Sequence, residues 1–207
     1  MNSAAEFAAS RNVSRETLEK LKLYEALLRK WTPVINLVAK STLDTIWGRH
    51  FLDSAQVFDL APEGGRHWVD MGSGGGFPGM IAAILAGAER PEMQVTLVES
   101  DNRKAAFLAT VARETDTPVT VISERVESLP GLSADILTAR ALAPLDQLLA
   151  FADKHLMPTG TALFQKGANH AAEIEQAIEK WQFSLQKHIS MTDPSAVILT
   201  IGGIKRV

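Results

Sequence analysis

The feature that most restricts this chain is the run Asp70-Met71-Gly72-Ser73-Gly74-Gly75-Gly76-Phe77-Pro78-Gly79, with five glycines in eight positions. So many glycines let a backbone turn sharply and approach a ligand closely, at a cost in conformational entropy that a plain turn does not require. An apolar run, His67–Met71, precedes it and a helical pattern, Pro78–Ala86, follows. A glycine-rich turn between a strand and a helix lies at the carboxyl end of its strand, where open α/β sheets bind ligands.

The rest of the chain repeats this alternation. Further apolar runs fall at Val95–Glu99, Val119–Ser123, Asp135–Thr138 and Thr161–Gln165, with helical patterns at Asn102–Glu114, Leu145–Leu156 and Asn169–Trp181. Strands apolar on both faces, with helices between them, predict a parallel sheet covered on both sides. Pro78 and Pro144 fall at first helical positions, where a missing N–H is harmless. The last two runs, Phe183–Met191 and Ala196–Ile201, are separated only by Thr192-Asp193-Pro194-Ser195, which predicts an antiparallel hairpin. Ahead of the sheet, 1–65 reads as helical. Ser14 is an N-cap with Glu16 in the first turn, Leu18, Leu21, Leu28 and Trp31 recur near helical spacing, and Pro33 ends the run. A second amphipathic stretch, Thr42 to Leu60, stops at Pro62-Glu63-Gly64-Gly65. The expected organisation is a helical extension, 1–65, and one compact unit, 66–207, within a length of 207 residues.

Composition removes several function classes. With no cysteine, disulfides, thiolate metal sites and a thiol nucleophile are impossible. His50, His67, His155, His170 and His188 show no ligand spacing, so no metal is expected. The start lacks a secretory pattern and no apolar stretch approaches the ~20 residues of a spanning helix, so a cytoplasmic protein without a membrane partner is expected. The net charge is −3, and 1–65 carries eight basic and eight acidic side chains, so no RNA-docking stripe is visible. No apolar helix seam argues against a monomer.

The glycine run leaves a choice of ligand. Gly74-x-Gly76-x-x-Gly79 matches the dinucleotide fingerprint, a pattern that does not decide by itself. Gly72-x-Gly74-x-Gly76 behind Asp70 resembles instead the first motif of class I S-adenosylmethionine-dependent methyltransferases, where the strand-end acid helps hold the cationic methionine end. Pro78 also removes an amide that a pyrophosphate would use at a helix N-terminus. Glu99 ends the second run, placed to accept from both ribose hydroxyls, as NAD enzymes also do. Arg125-Val126-Glu127 follows the third run, where that fold meets the adenine ring. Arg140 ends the fourth; it stays charged and cannot be a general base, yet it can orient a cofactor carboxylate or hold an anionic substrate. Lys166-Gly167 ends the fifth near the same rim. His50 and Asp53, three residues apart, share a face if helical, either for the site or for packing.

Taken together these segments resemble the small-subunit ribosomal RNA methyltransferase G family, also called glucose-inhibited division protein B. The match runs from Trp31 with Asn36-Leu37 through Arg49–Ser54, Asp70–Gly79, Glu99-Ser100, Arg103-Lys104, Phe107-Leu108, Arg125–Glu127 and Arg140-Ala141 to Lys166-Gly167. Arg-His-Phe-Leu-Asp-Ser followed by Gly-Phe-Pro-Gly is its most specific part. It departs at Thr32, where the family usually has Asn, and Ile198–Val207 matches loosely.

The resemblance implies an α/β, Rossmann-like class I methyltransferase fold: a mostly parallel seven-stranded sheet, a C-terminal antiparallel hairpin and an N-terminal helical extension. It implies methyl transfer from S-adenosylmethionine to N7 of one guanine in 16S rRNA, near the decoding centre, with 16S rRNA or the small ribosomal subunit as partner. Cofactor contacts are expected at Asp70, Gly72, Gly74, Gly76, Phe77, Glu99, Val126, Glu127 and Arg140, with Arg140 also positioning the reactants. Substrate contacts are expected at His50, Asp53 and Lys166. N7 carries a lone pair and no proton, so no general base is required. Phe77 is a candidate wall for an unstacked base. A small-molecule methyltransferase of this fold, a nicotinamide-dependent oxidoreductase and a non-catalytic RNA-binding module stay open as alternatives.

Overall fold

Ser3 and Ser14 each accept a first-turn amide on a side-chain oxygen, from Glu6 N and Thr17 N, and so start helices α1 (Ala4–Ser10) and α2 (Arg15–Ile35). These open a computed structural model that describes residues 3–207. Pro33 does not end α2 as expected: the helix runs on to Ile35 and stops at Asn36, in the left-handed conformation with φ 48°. Pro33 sits in the last turn on the exposed side, where losing one helical hydrogen bond strands no buried group. The stretch expected as one amphipathic helix is three turns of different pitch in line. A 3₁₀ turn (Lys40–Thr45) leads into a wide π turn (Trp47–Leu52), which continues as helix α3 (Asp53–Leu60).

Seven strands follow: β1 (His67–Met71), β2 (Gln94–Val98), β3 (Thr120–Ile122), β4 (Ala134–Arg140), β5 (Leu156–Lys166), β6 (Trp181–Ile189) and β7 (Val197–Arg206). Their order is β3-β2-β1-β4-β5-β7-β6, parallel through β5, with β7 antiparallel to both of its neighbours. Helices α4 (Gly79–Glu89), α5 (Asn102–Glu114), α6 (Leu145–His155) and α7 (His170–Ala177) lie between successive strands. Pro78 and Pro144 stand one residue before the first helical position rather than on it. The pattern read as a helix to Trp181 ends at Ala177, and Trp181 opens β6 with its ring buried and the Arg206 guanidinium over it. The closing strand reaches Arg206, five residues beyond the run expected to end at Ile201, because it pairs with β6 along its whole length.

Side chains alternate across each strand and fill two apolar layers. On one face Trp68, Leu97, Ile136 and Leu163 pack against α4, α5 and the N-terminal helices, including Phe7, Leu21, Tyr24 and Leu28. On the other, Val69, Met71, Leu137 and Phe164 pack against α6 and α7 through Leu145, Leu149 and Ala177. Among the described residues no helix is long and apolar enough to cross a membrane, and no three His, Asp or Glu side chains group to hold a metal ion.

Candidate active site

The glycine loop is tied down from both sides. Asp70 stands in register with Thr138 of β4, and its Oδ1 accepts the Thr138 hydroxyl at 2.7 Å while Oδ2 accepts Gly79 N–H at 3.2 Å. Trp68 Nε1–H donates to the same Thr138 oxygen at 3.0 Å. Asp70 has no exposed surface, and burial raises its pKa to about 6 against the pull of these hydrogen bonds. Asp70 thus latches the start of α4 onto β1 and β4 from beneath the glycine loop. A Cβ on Gly79 would meet Leu97 Cδ2 at 2.5 Å and Asp70 Cβ at 2.6 Å, so the latch requires glycine there. From the opposite side, Tyr24 of α2 donates its hydroxyl to the Gly75 carbonyl. Gly76, with φ 97°, passes so close beneath that hydroxyl that any Cβ would run into it.

The open side of the loop faces Glu99, just beyond β2. Glu99 Oε2 accepts Gly74 N–H and Oε1 accepts Asp101 N–H, each at 2.8 Å. A carboxylate offers about four acceptor positions, so each oxygen retains one. A Cβ on Gly74 would find no atom nearer than Gly72 O at 3.8 Å, so open space lies over the loop beside this carboxylate. That donor and acceptor set fits the diol of a nucleoside. Beyond β3 a 3₁₀ turn, Val126–Ser128, buries Val126 and leaves the Glu127 side chain exposed. Its carbonyls accept from α6: Val126 O from His155 Nε2 at 3.1 Å and Glu127 O from Lys154 Nζ at 2.7 Å.

Arg140, the last residue of β4, brings the distant segments together. Its Nη1 lies 3.0 Å from His50 Nδ1 and 3.9 Å from Asp53 Oδ2, with its guanidinium carbon 4.8 Å from the Phe77 ring centre. The Phe77 ring is 2% exposed and stacks between Tyr24 (centroids 5.6 Å apart) and His50 (4.9 Å). Phe77 is therefore packed as a strut among Tyr24, His50 and the Arg140 guanidinium. Asp53 is a clasp. Its Oδ1 accepts from Gln56 Nε2, Ser190 Oγ and Thr192 Oγ1 at 2.8–3.1 Å, and its Oδ2 from Gln165 Nε2 at 2.6 Å. Lys166 is held by Glu173 Oε2 at 2.6 Å and the Ala143 carbonyl at 3.0 Å, so its charge is neutralised.

A cavity of about 490 Å³ opens between the π turn, the ends of β4 and β5, and the β6–β7 turn; Val38, Thr42, His50, Arg140, Lys166 and Ile198 are among its walls. The structure thus gathers Arg140 with His50, Asp53 and Lys166 around one cavity, and places Gly72, Gly74 and Glu99 on the neighbouring part of the same rim. Sequence reasoning missed Tyr24, Thr42, Thr138 and Gln165. Tyr24 alone carried a signal: it shares the Leu21–Leu28 face of α2 yet has a hydroxyl that burial obliges to find a partner.

Strand order, glycine loop and strand-end acid together define a class I methyltransferase fold. A TehB-like SAM-dependent methyltransferase from Corynebacterium glutamicum superposes with a TM-score of 0.57 at 15% identity, over 90% of this chain and 100% of that one. Residues 17–198 match the family described as rRNA small subunit methyltransferase G, GidB. The ribosomal RNA small subunit methyltransferase G of Ruegeria sp. strain TM1040 is 54% identical over 196 residues, 95% of each chain. The protein of the same name from Ruegeria pomeroyi is 55% identical over 196 residues, 95% of this chain and 96% of that one. The chain belongs to the rRNA small subunit methyltransferase G family.

Proposed function

We propose that this protein methylates N7 of a guanine in 16S rRNA, working as a monomer in the cytoplasm on the small ribosomal subunit, with S-adenosylmethionine as donor. Family membership supports the rRNA substrate. The observation that carries the choice of N7 is that the cavity offers no free general base. His50 Nδ1 is committed to Arg140, and each acid in the wall is taken: Asp53 by four side-chain donors, Glu173 by Lys166 and Leu145 N–H, Asp193 by Arg49 and Ser195. Methylation at an exocyclic amine or at N1 requires loss of a proton, and N7 does not.

S-adenosylmethionine supplies a sulfonium methyl, and its displacement by N7 forms the N–C bond while the C–S electron pair returns to a neutral thioether. The protein's part is alignment, with reacting atoms held at roughly 3–3.5 Å. In this reading Glu99 accepts the ribose hydroxyls, Gly72, Gly74 and Gly76 form the floor, and Val126 with Glu127 borders the adenine. Asp70 acts from behind by fixing the loop. Arg140 meets an anion, since the product purine is cationic and would be repelled by a guanidinium against its ring.

Reverse-transcription mapping of N7-methylguanine in 16S rRNA, from cells with and without the gene, tests this. One modified guanine that disappears with the gene is the expected result. An unchanged map, with label from the donor entering another molecule, would overturn it. Thermal-shift titration with S-adenosylmethionine, NAD and NADP separates the oxidoreductase alternative.

A further inference from the structure

The direction of every hydrogen bond around Arg140 follows from donor counts. A guanidinium has only donors, so His50 Nδ1, 3.0 Å from Arg140 Nη1, presents its lone pair and the ring is neutral. The other ring nitrogen, Nε2, lies 2.8 Å from Thr42 Oγ1. Thr42 directs its one hydroxyl proton to the Ala39 carbonyl at 2.7 Å, so Nε2 carries the imidazole hydrogen and donates to Thr42. The chain runs one way, from guanidinium through ring and hydroxyl to a main-chain carbonyl. Stacking on Phe77, with planes 23° apart, fixes the tilt of the ring.

An arginine drawn largely out of water, as Arg140 is with its side chain 22% exposed, is best held by a carboxylate that offsets its charge. Here Asp53 is 3.9 Å away and already engaged by Gln56, Gln165, Ser190 and Thr192. The close partner is a neutral acceptor. We infer that His50 is a positioning residue: its neutral imidazole fixes the Arg140 guanidinium in one orientation while leaving the charge free for an anionic group of the reactants. This rests on the functional reading above. Burial, Arg140 and Arg49 together lower the His50 pKa to about 3, and Asp53, the facing acid, does not reverse this, so the ring stays an acceptor throughout the physiological range. The anion is either the donor's carboxylate or an RNA phosphate.

The test is tritium transfer from S-adenosylmethionine to small ribosomal subunits of a strain lacking the gene. It compares wild type with His50→Phe, His50→Asn, Arg140→Ala and the His50→Phe/Arg140→Ala pair. Phenylalanine keeps a flat ring against Phe77 without an acceptor, and asparagine restores an acceptor oxygen near the place of Nδ1. His50→Phe should lower kcat/KM by about 10- to 100-fold, as loss of one hydrogen bond to a charged group does, with little change in thermal midpoint. His50→Asn should recover most of that loss, and His50→Phe should add nothing once Arg140 is alanine. A wild-type rate in His50→Phe, or losses that multiply in the double variant, would overturn the inference. Weaker S-adenosylmethionine binding by His50→Phe in calorimetry assigns the anion to the donor carboxylate; unchanged binding with a raised KM for the subunit assigns it to phosphate. Nitrogen NMR of the His50 ring reads the same bond without activity. A neutral Nε2–H tautomer down to pH 5 is expected, and titration near 6.5 would sink the proposal. Wild type failing to label the subunit would count against the functional reading alone, with the NMR result still deciding the role of His50.

Discussion

Asp70 pays for its place behind the glycine loop in charge. Its folded pKa of about 6 stands above the ordinary value of about 3.9, so the folded chain binds more protons than the unfolded chain between these values. Stability should therefore fall as pH rises from about 4 to about 6 and level off above that. The upper bound of the effect is about 3 kcal/mol, from 1.36 kcal/mol for each tenfold change. Asp70→Asn removes this dependence. Its thermal midpoint relative to wild type should climb across pH 4–6 and then plateau; a parallel offset at every pH would contradict the assignment. Arg140→Ala acts differently. It deletes the one cation that the cavity presents without a close carboxylate partner, and methyl transfer should fall about 100- to 1,000-fold, the range for losing one preorganised charge-stabilising group. Wild-type turnover in that variant would remove Arg140 from the site.

At the scale of elements, the Asp53 clasp joins three segments that the chain visits far apart: the start of α3, the end of β5 and the β6–β7 turn. Asp53→Ala strips the partner from Gln56, Gln165, Ser190 and Thr192 at once. It should cost about 2–4 kcal/mol in denaturant unfolding, and Asp53→Asn, which keeps one acceptor, should cost less. Equal stability of all three proteins would show that the clasp contributes nothing. Its existence was not legible in the sequence. Asp53 and Thr192 are 139 positions apart, and nothing in local spacing records such a meeting. What sequence patterning did record was β1, matched to the residue, because a short run centred on Trp68, Val69 and Met71 stands between a proline-glycine break and a glycine turn. The pitch of Trp47–Leu52 was illegible for the opposite reason. Trp47, His50 and Phe51, all buried, are spaced as an ordinary α turn would space them, so the pattern carries no sign of the wider pitch. A tryptophan is compatible with the end of a helix or the start of a strand, and pairing of Trp181 with Arg206 on β7 decides for the strand.

For the molecule as a whole, the question is whether 1–65 is an appendage. Sequence breaks at Pro62 and Gly64 suggested a boundary, and breaks of that kind do not report which surfaces meet. Residues 79–86 of α4 are all buried, on every side of the helix, which requires cover from two directions. The sheet supplies one. The other comes from α2 and α3, whose Leu21, Tyr24, Leu28 and Phe58 join the same apolar cluster as Met80, Ile81, Ile84 and Leu85. Tyr24 in addition reaches the Gly75 carbonyl, so the N-terminal helices brace the loop as well as covering α4. We propose that 1–65 and 66–207 form one cooperative unit. A fragment beginning at residue 66 would expose α4 and the Phe107–Leu108 edge of α5, and apolar surface on that scale is not tolerated in water. The fragment should bind a hydrophobic dye, aggregate on concentration and show no sharp thermal transition, whereas the full chain melts in one step. A fragment that instead melts cooperatively and binds S-adenosylmethionine with full affinity would establish the helical segment as a separable attachment, and with it a different origin for the order of the glycine loop.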